Sequence, residues 1–143
     1  MSNWLNAPDE EEIMTYPGFV YKITRLNAKD GEKKYYWGKK IFWSHRKQKQ
    51  KKDEKRAKRK WVESDWKKYY GSSKELLNDI ELHGKENFER SILTLCKTKW
   101  MMAYEELLVQ IQEKVLFRDD SYNGIIHARI GKVPKDLKDL YMK

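Results

Sequence analysis

Fifteen consecutive residues, from Arg46 to Lys60, carry most of the net positive charge of this 143-residue chain. The run holds ten Lys/Arg residues and only two acids, Asp53 and Glu54, so its net charge is +8, against +9 for the whole chain. Two acids are too few to neutralise the cations through pairs three or four residues apart on a helix. A surface of this charge attracts a polyanion through several phosphate contacts. The run therefore predicts nucleic-acid binding, and the alternative is a helix face that contacts only water.

The cations predicted to contact phosphates are Lys47, Lys49, Lys51, Lys52, Lys55, Arg56, Lys58, Arg59 and Lys60. Aromatic residues follow this run, and two interpretations of them stay open. They either pack the basic segment onto the core or stack on unpaired bases. These residues are Trp61, Trp66, Tyr69 and Tyr70.

The composition excludes several other classes of protein. Cys96 is the only cysteine, so no disulfide can form within the chain and no Cys-based zinc site is available. We interpret Cys96 as a small buried hydrophobic residue rather than a reactive thiol. No apolar run approaches the ~20 residues that span a bilayer, and the acidic N-terminus lacks the pattern of a signal peptide. We expect a soluble, cytoplasmic protein with no membrane contact.

The elements that must position these residues begin with a β-hairpin. Residues 19–26 alternate with the period of a strand after the Pro17-Gly18 break, turn-forming residues follow, and residues 34–38 form a second short strand. Residues 39–61 contain no proline or glycine and are mostly good helix formers, which predicts a basic helix that carries Arg46.

The second half of the chain predicts two helices around a third strand. Ser72 and Glu75 have the spacing of a capping box that opens a helix, and Gly84 is placed to end it. Residues 88–95 form the strand, and residues 98–117 have the pattern of a long amphipathic helix. This order predicts an α+β domain with a small three-stranded antiparallel sheet flanked by helices.

Three segments divide the chain in this interpretation. Residues 1–16 are an acidic N-terminal arm that is mobile or loosely docked, and residues 128–143 are a C-terminal tail. The domain itself covers residues 17–127 and contains a basic insert at about 47–71.

Several motifs, taken together and in order, resemble the GIY-YIG nucleases. Residues 18–21 read G-F-V-Y and residues 36–38 read Y-W-G, similar to the two strand motifs of that family. Arg46 lies eight residues after Gly38, at the position of the family's arginine. Residues 83–93 resemble the junction between helix and third strand in phage-type homing endonucleases, and Tyr122-Asn123 resembles the family's closing Y-N element.

The chain departs from the family pattern at two motifs and in one segment. G-F-V-Y contains one extra residue, which shifts the position of the first tyrosine. Trp37 stands where the family usually has a small aliphatic residue. The segment 47–71 is longer and more basic than the minimal domain requires.

The resemblance implies phosphodiester hydrolysis, which needs an activated water and stabilisation of the charge that develops on the phosphate. Arg46 suits the second task, because its guanidinium matches two phosphate oxygens. A carboxylate is needed to hold Mg²⁺, or another divalent cation such as Mn²⁺. With Tyr104 at the centre of the apolar stripe, Glu105 falls at the edge of the stripe and Glu106 on the solvent face. This argument favours Glu105 as the catalytic metal ligand, and the family spacing points to the same residue.

The resemblance nominates Tyr21 and Tyr36 as the phenols that activate water, and which of them is the base stays open. A free phenol has a pKa of ~10, so nearby cations must lower it, and Lys39 and Arg46 are candidates for this. Asn123 resembles the asparagine that braces the family's active site. His45 is interpreted as a surface residue, with a role in the site as the alternative.

The sequence thus leads to two hypotheses of different classes. The first is a Mg²⁺-dependent DNA endonuclease similar to phage GIY-YIG homing endonucleases, which acts on double-stranded DNA in the cytoplasm of an infected host cell if a phage encodes it. Its specificity would then require the insert, the tail, a dimer or a protein partner. The second is a non-catalytic, basic nucleic-acid-binding protein on the same fold.

Overall fold

The computed structural model describes residues 3–26, 33–47 and 59–142. In these ranges a four-stranded sheet has helices on both faces, and a two-stranded ribbon follows its edge strand. Two short 3₁₀ helices, Trp66–Lys68 and Lys85–Asn87, complete the secondary structure. In chain order the elements are β1 (Trp4–Leu5), α1 (Glu10–Thr15), β2 (Gly18–Arg25), β3 (Lys34–Ile41), β4 (Trp43–Lys47), β5 (Arg59–Glu63), α2 (Lys74–His83), β6 (Phe88–Cys96), α3 (Lys99–Gln112) and α4 (Lys135–Tyr141).

The α+β fold class is confirmed, but the main sheet has four strands rather than three. Its order is β1-β6-β2-β3, and β2 is antiparallel to both of its neighbours. The additional strand β1 pairs in parallel with β6 through Trp4 and Leu5 alone. Two residues are too few to show a strand period, so the sequence pattern did not reveal this strand.

Strand β2 lies at the centre of the sheet and contributes side chains to both cores. Phe19, Tyr21 and Ile23 pack on one face within a large aromatic cluster. Val20 packs on the other face in a second cluster that includes Cys96 and Met102. Burial raises the pKa of the Cys96 thiol to about 12, which agrees with a buried hydrophobic residue and not with a reactive thiol.

The N-terminal segment is docked on the domain from Trp4 onward, whereas the sequence suggested a mobile or loosely docked arm. The indole of Trp4 is buried, and its Nε1 donates a hydrogen bond to the backbone carbonyl of Trp66 at 2.8 Å. Asp9 and Glu12 form a capping box that starts α1, and Ile13 is the buried residue of that helix. The acidic composition concealed these two apolar anchors, Trp4 and Ile13.

The basic helix predicted over residues 39–61 is wrong in the described part of that range. Residues 43–47 and 59–63 instead form the antiparallel strands β4 and β5, and residues 48–58 lie outside the described ranges. The aromatic residues at the base of the ribbon override helix propensity, which is a weak preference. Phe42 is buried and donates its backbone N–H to Pro17, and His45 stacks on Trp61 across the ribbon.

The remaining helices follow the sequence closely. Helix α2 starts after the N-cap Ser73, one residue later than expected, and ends at Gly84 with a φ of +89°. Helix α3 ends at Gln112, earlier than the predicted residue 117. The tail contains α4, which buries Leu137 in the second cluster. Of the helices in the described ranges, none combines the length and the apolar character needed to cross a membrane.

Replacing Trp4 tests the docking of the N-terminal segment. Trp4→Ala removes a buried indole and its hydrogen bond, so we expect the free energy of unfolding in urea to fall by about 3–5 kcal/mol. The matched control is Leu5→Ala, because Leu5 is the other residue of β1 and is half exposed. Equal stability of the wild type and Trp4→Ala would contradict a docked segment.

Candidate active site

The side chain of Tyr21 lies across Gly38 on the neighbouring strand. The two residues are directly opposite in the β2–β3 register. A Cβ atom added to Gly38 would lie 2.5 Å from the Tyr21 hydroxyl oxygen. Gly38 therefore leaves the space that lets the buried Tyr21 ring reach the outer edge of the sheet.

A cavity of about 500 Å³ lies at this edge, and side chains from both faces of the sheet line it. From one face come the four phenols of Tyr21, Tyr36, Tyr69 and Tyr122. The ring centroid of Tyr21 is 6.1 Å from that of Tyr36 and 6.0 Å from that of Tyr69. From the other face come Lys39 of β3 and Glu106 of α3. With His127, which also lines it, the cavity combines phenols, one carboxylate, one ammonium group and one imidazole.

Glu106, and not the predicted Glu105, lines this cavity. Its carboxylate is 4.0 Å from the Lys39 ammonium, and its side chain is only 14% exposed. Glu105 instead accepts a 2.6 Å hydrogen bond from the Tyr141 hydroxyl of α4. The structure thus places Glu106, and not Glu105, at this cavity.

Glu106 rather than Glu105 lines the cavity because the apolar stripe of α3 has two parts that pack on different elements. Trp100 and Tyr104 form an aromatic cluster with Tyr141, so this part of the stripe is covered by α4. The sheet is contacted by a different side of α3, where Met102 and Gln110 are buried. Glu106 lies midway between these two residues, four positions from each, and therefore on the side of α3 that faces the sheet. The helical angles of Glu105 and Glu106 were measured from Tyr104, which faces α4 and not the sheet.

Two side-chain amides hold the backbone of β3 beside the cavity. Asn123 accepts a hydrogen bond from the Trp37 N–H at 2.9 Å and donates one to the Trp37 carbonyl at 2.8 Å. Gln110 donates a second bond to the same carbonyl at 3.1 Å. These bonds fix the β3 backbone at Trp37, and the bracing of an active site by Asn123 stays a prediction; the contact of Gln110 was not anticipated.

The pKa values of the two phenols are raised, whereas the sequence argument required nearby cations to lower them. Burial, followed by the nearby Tyr36, raises the pKa of Tyr21 well above its usual value. Burial also raises the pKa of Tyr36, and a hydrogen bond with Ser72 opposes this shift. Burial raises the pKa of Glu106 as well, although Lys39 acts against it. All three groups therefore favour their neutral forms more strongly than in water.

Arg46 lies in β4, where its register partner is Lys60. The structure thus moves it from the predicted helix to the ribbon, and its side chain lies outside the described part. Lys47 and Arg59 are also register partners on the ribbon, while the other six predicted phosphate contacts fall within residues 48–58, outside the described ranges. His45 is exposed on the ribbon, as expected for a surface histidine.

Among the cavity residues that the sequence argument missed are Glu106, Gln110, Tyr69 and His127. A signal for the first two was present, because Met102, Glu106 and Gln110 follow one another at spacings of four on a helix. Tyr69 had no comparable signal. It follows a 3₁₀ helix, and only the tertiary structure brings its ring against Tyr21.

The family of the chain can be assigned by comparison with known proteins. Residues 4–126 match the family model described as "Putative endonuclease segE, GIY-YIG domain". The chain belongs to the GIY-YIG nuclease family. Neither the curated proteins nor the solved structures gave a match to it. Membership of the GIY-YIG family implies endonuclease activity, a nucleic-acid substrate and, as is typical of the family, a divalent metal ion.

Substitution of Gly38 tests the contact between the two strands. Gly38→Ala forces the Tyr21 ring to move, and we expect a loss of about 1–3 kcal/mol in the free energy of unfolding. Gly124→Ala is the matched control in the same cavity, because a Cβ there would have no neighbour within 4 Å. Equal stability of Gly38→Ala and Gly124→Ala would contradict a close contact between the Tyr21 ring and the backbone of Gly38.

The pH dependence of stability tests the environment of Glu106. Because its pKa is raised in the folded state, ionisation of Glu106 opposes folding as the pH rises. We therefore expect Glu106→Gln to be more stable than the wild type at pH 7. The difference should shrink as the pH falls and vanish below the ordinary glutamate pKa of ~4.3.

Urea titrations between pH 4 and pH 8 measure this difference. The control is Glu105→Gln, whose carboxylate accepts a hydrogen bond from Tyr141 and which should therefore give no gain in stability at neutral pH. A destabilised Glu106→Gln at pH 7 would contradict the raised pKa.

Proposed function

We propose that the protein is a divalent-cation-dependent endonuclease that hydrolyses phosphodiester bonds in double-stranded DNA. The observation that carries this proposal is that Tyr21 and Glu106, which come from opposite faces of the sheet, open into one cavity at the edge of β3. Lys39 lies beside them and supplies a positive charge. A water, a phosphate and a cation can therefore meet in this cavity.

The residues of the cavity fit a hard cation that keeps most of its water. Glu106 is the acid that lines the cavity, and no cluster of three or more metal-binding side chains occurs in the ranges that the structure describes. Mg²⁺ is often held by one or two carboxylates together with substrate phosphates and water. Glu106 would hold Mg²⁺ or Mn²⁺ here. When bound, the cation would polarise the phosphate and make water more acidic.

The reaction forms one bond from a water oxygen to phosphorus and breaks one ester bond from phosphorus to oxygen. Tyr21 and Tyr36 both face the cavity, where their hydroxyls can orient the water and take part in its proton transfer. Arg46 is proposed to balance the charge that develops on the phosphate. Asn123 keeps the β3 backbone in place beneath the phenols.

The cations of residues 47–60 are proposed to bind the DNA backbone, as the sequence suggested. Since phosphate contacts carry no base information, sequence preference requires further contacts, a dimer or a protein partner. A role in homing of a phage element belongs to the same proposal. The competing function is a non-catalytic DNA-binding protein, which the basic segment alone would support.

Plasmid cleavage distinguishes these functions and also distinguishes the two glutamates. We expect the wild-type protein to cut supercoiled plasmid DNA in the presence of Mg²⁺ or Mn²⁺, and we expect the addition of EDTA to stop this cleavage. Glu106→Gln and Arg46→Ala should each cut roughly 10²–10³-fold more slowly, which is typical when a group that stabilises charge is lost. Glu105→Gln, the adjacent acid outside the cavity, should cut at nearly the wild-type rate.

Binding must be measured beside cleavage to interpret a negative result. Wild-type protein that binds DNA without cutting it under any divalent cation would favour the non-catalytic alternative. Full activity of Glu106→Gln would remove that residue from the site. Comparison of Tyr21→Phe with Tyr36→Phe identifies the phenol that takes part in proton transfer, because loss of that hydroxyl should change the pH profile of the rate.

A further inference from the structure

A second concave surface lies beside the ribbon formed by β4 and β5. We call it the ribbon groove. It has a volume of about 360 Å³, and its lining is mainly apolar. The residues that define it are Met14 and Tyr16 near the end of α1, Trp43 and Trp61 on the ribbon, and Lys99 at the start of α3. The groove thus has two indole walls and one cation.

Each indole of the open groove makes one contact that orients it. Trp43 donates a hydrogen bond from Nε1 to the Ile13 carbonyl at 3.0 Å. Trp61 stacks on His45, with ring centroids 4.4 Å apart and an interplanar angle of 16°. Trp61 nevertheless remains 57% exposed. A large, rigid and exposed aromatic surface of this kind is suited to stacking on a flat ligand.

The charge pattern of the ribbon identifies that ligand as part of a polyanion. The register places Arg46 opposite Lys60 and Lys47 opposite Arg59. These four cations belong to the run from Arg46 to Lys60, whose net charge of +8 favours a polyanionic partner. Together with the exposed Lys99 at the groove, this pattern favours a nucleotide, in which a flat base is joined to a phosphate.

The groove lies a short distance from the candidate active site along two elements. From Lys99 to Glu106 is seven residues of α3, or ~10 Å at ~1.5 Å per residue. From Pro17 to Tyr21 is four residues, or ~13 Å at ~3.3 Å per residue of strand. A DNA strand advances ~3.4 Å per nucleotide, so both paths correspond to ~3–4 nucleotides.

We propose that the ribbon groove binds an unstacked nucleobase of the substrate DNA, ~3–4 nucleotides from the phosphate that is cut. Trp61 and Trp43 hold the base, and Lys99 contacts its phosphate. This inference rests on the proposed function. A groove of this kind would let the domain select a DNA site at which one base leaves the duplex easily. This selection would add to the contacts with the DNA backbone.

Equilibrium binding to DNA in EDTA tests the inference without cleavage. The probe is a fluorescein-labelled duplex with a single-base bulge. Trp61→Ala should bind it roughly 5- to 100-fold more weakly than the wild type, the range found when a stacked aromatic residue is removed. Trp61→Phe should retain most of the affinity. The matched control is Phe117→Ala, an aromatic residue that is 87% exposed elsewhere on the surface and whose loss should not change binding.

An abasic scan locates the base. After the cut has been mapped on the same duplex with Mg²⁺, the wild type in EDTA should lose affinity when the nucleotide ~3–4 positions from that cut lacks its base. Trp61→Ala should bind this abasic probe and the intact probe equally well, because it already lacks the contact with the base. Lys99→Gln provides a second variant if Trp61→Ala does not fold, and it should weaken binding to the same probe. Equal losses in the wild type and Trp61→Ala at every position would overturn the inference.

The outcomes separate this inference from the proposed function. If the wild type cuts plasmid DNA and Trp61→Ala binds the bulged probe equally well, the groove proposal fails while the nuclease proposal stands. If the wild type binds the bulged probe through Trp61 but never cuts DNA, base binding in the groove stands, while the nuclease proposal and the spacing to a cut phosphate both fail.

Discussion

The candidate site depends on the contact between the Tyr21 ring and the bare backbone of Gly38. Side chains of one strand alternate between the faces of a sheet, so Tyr21 and Glu106 would ordinarily lie on opposite sides. Tyr21 reaches the edge only because its cross-strand neighbour has no side chain. Glu106 reaches the same edge because α3 packs on the other face, one turn before Gln110. One glycine therefore connects two surfaces that the sheet would separate.

The same edge has to remain open although β3 is the last strand of the main sheet. Residues 120–122 pair with Tyr35 only, through two backbone hydrogen bonds. At Trp37 the Asn123 side chain replaces a further strand residue and satisfies both backbone groups. The chain can then turn away before Lys39 and leave the cavity accessible. Asn123 thus ends the pairing of an edge strand without leaving its polar groups unsatisfied.

Local patterns were sufficient to predict the elements whose residues interact locally, and insufficient elsewhere. Strands β2 and β3 and helix α3 followed from their hydrophobic periods, and the start of α2 followed from capping chemistry to within one residue. The ribbon was not predicted, because the helix propensity of its lysine-rich sequence favoured a helix. The contacts of Phe42, Trp43 and Trp61, which hold it as a ribbon, are visible only in the structure. Glu106 was missed for a related reason, since the aromatic stripe that defined the helix face packs on α4 and not on the sheet.

The electrostatics of the cavity favour the neutral forms of the acidic groups that line it. Burial moves the pKa values of Tyr21, Tyr36 and Glu106 upward, so each group holds its proton more tightly than in water. Lys39 alone, 41% exposed and 4.0 Å from Glu106, does not reverse these shifts. An opposite charge within ~4–6 Å favours the ionised form of an acid. A cavity that disfavours its own anions therefore gains the most from a positive charge that enters together with the phosphate.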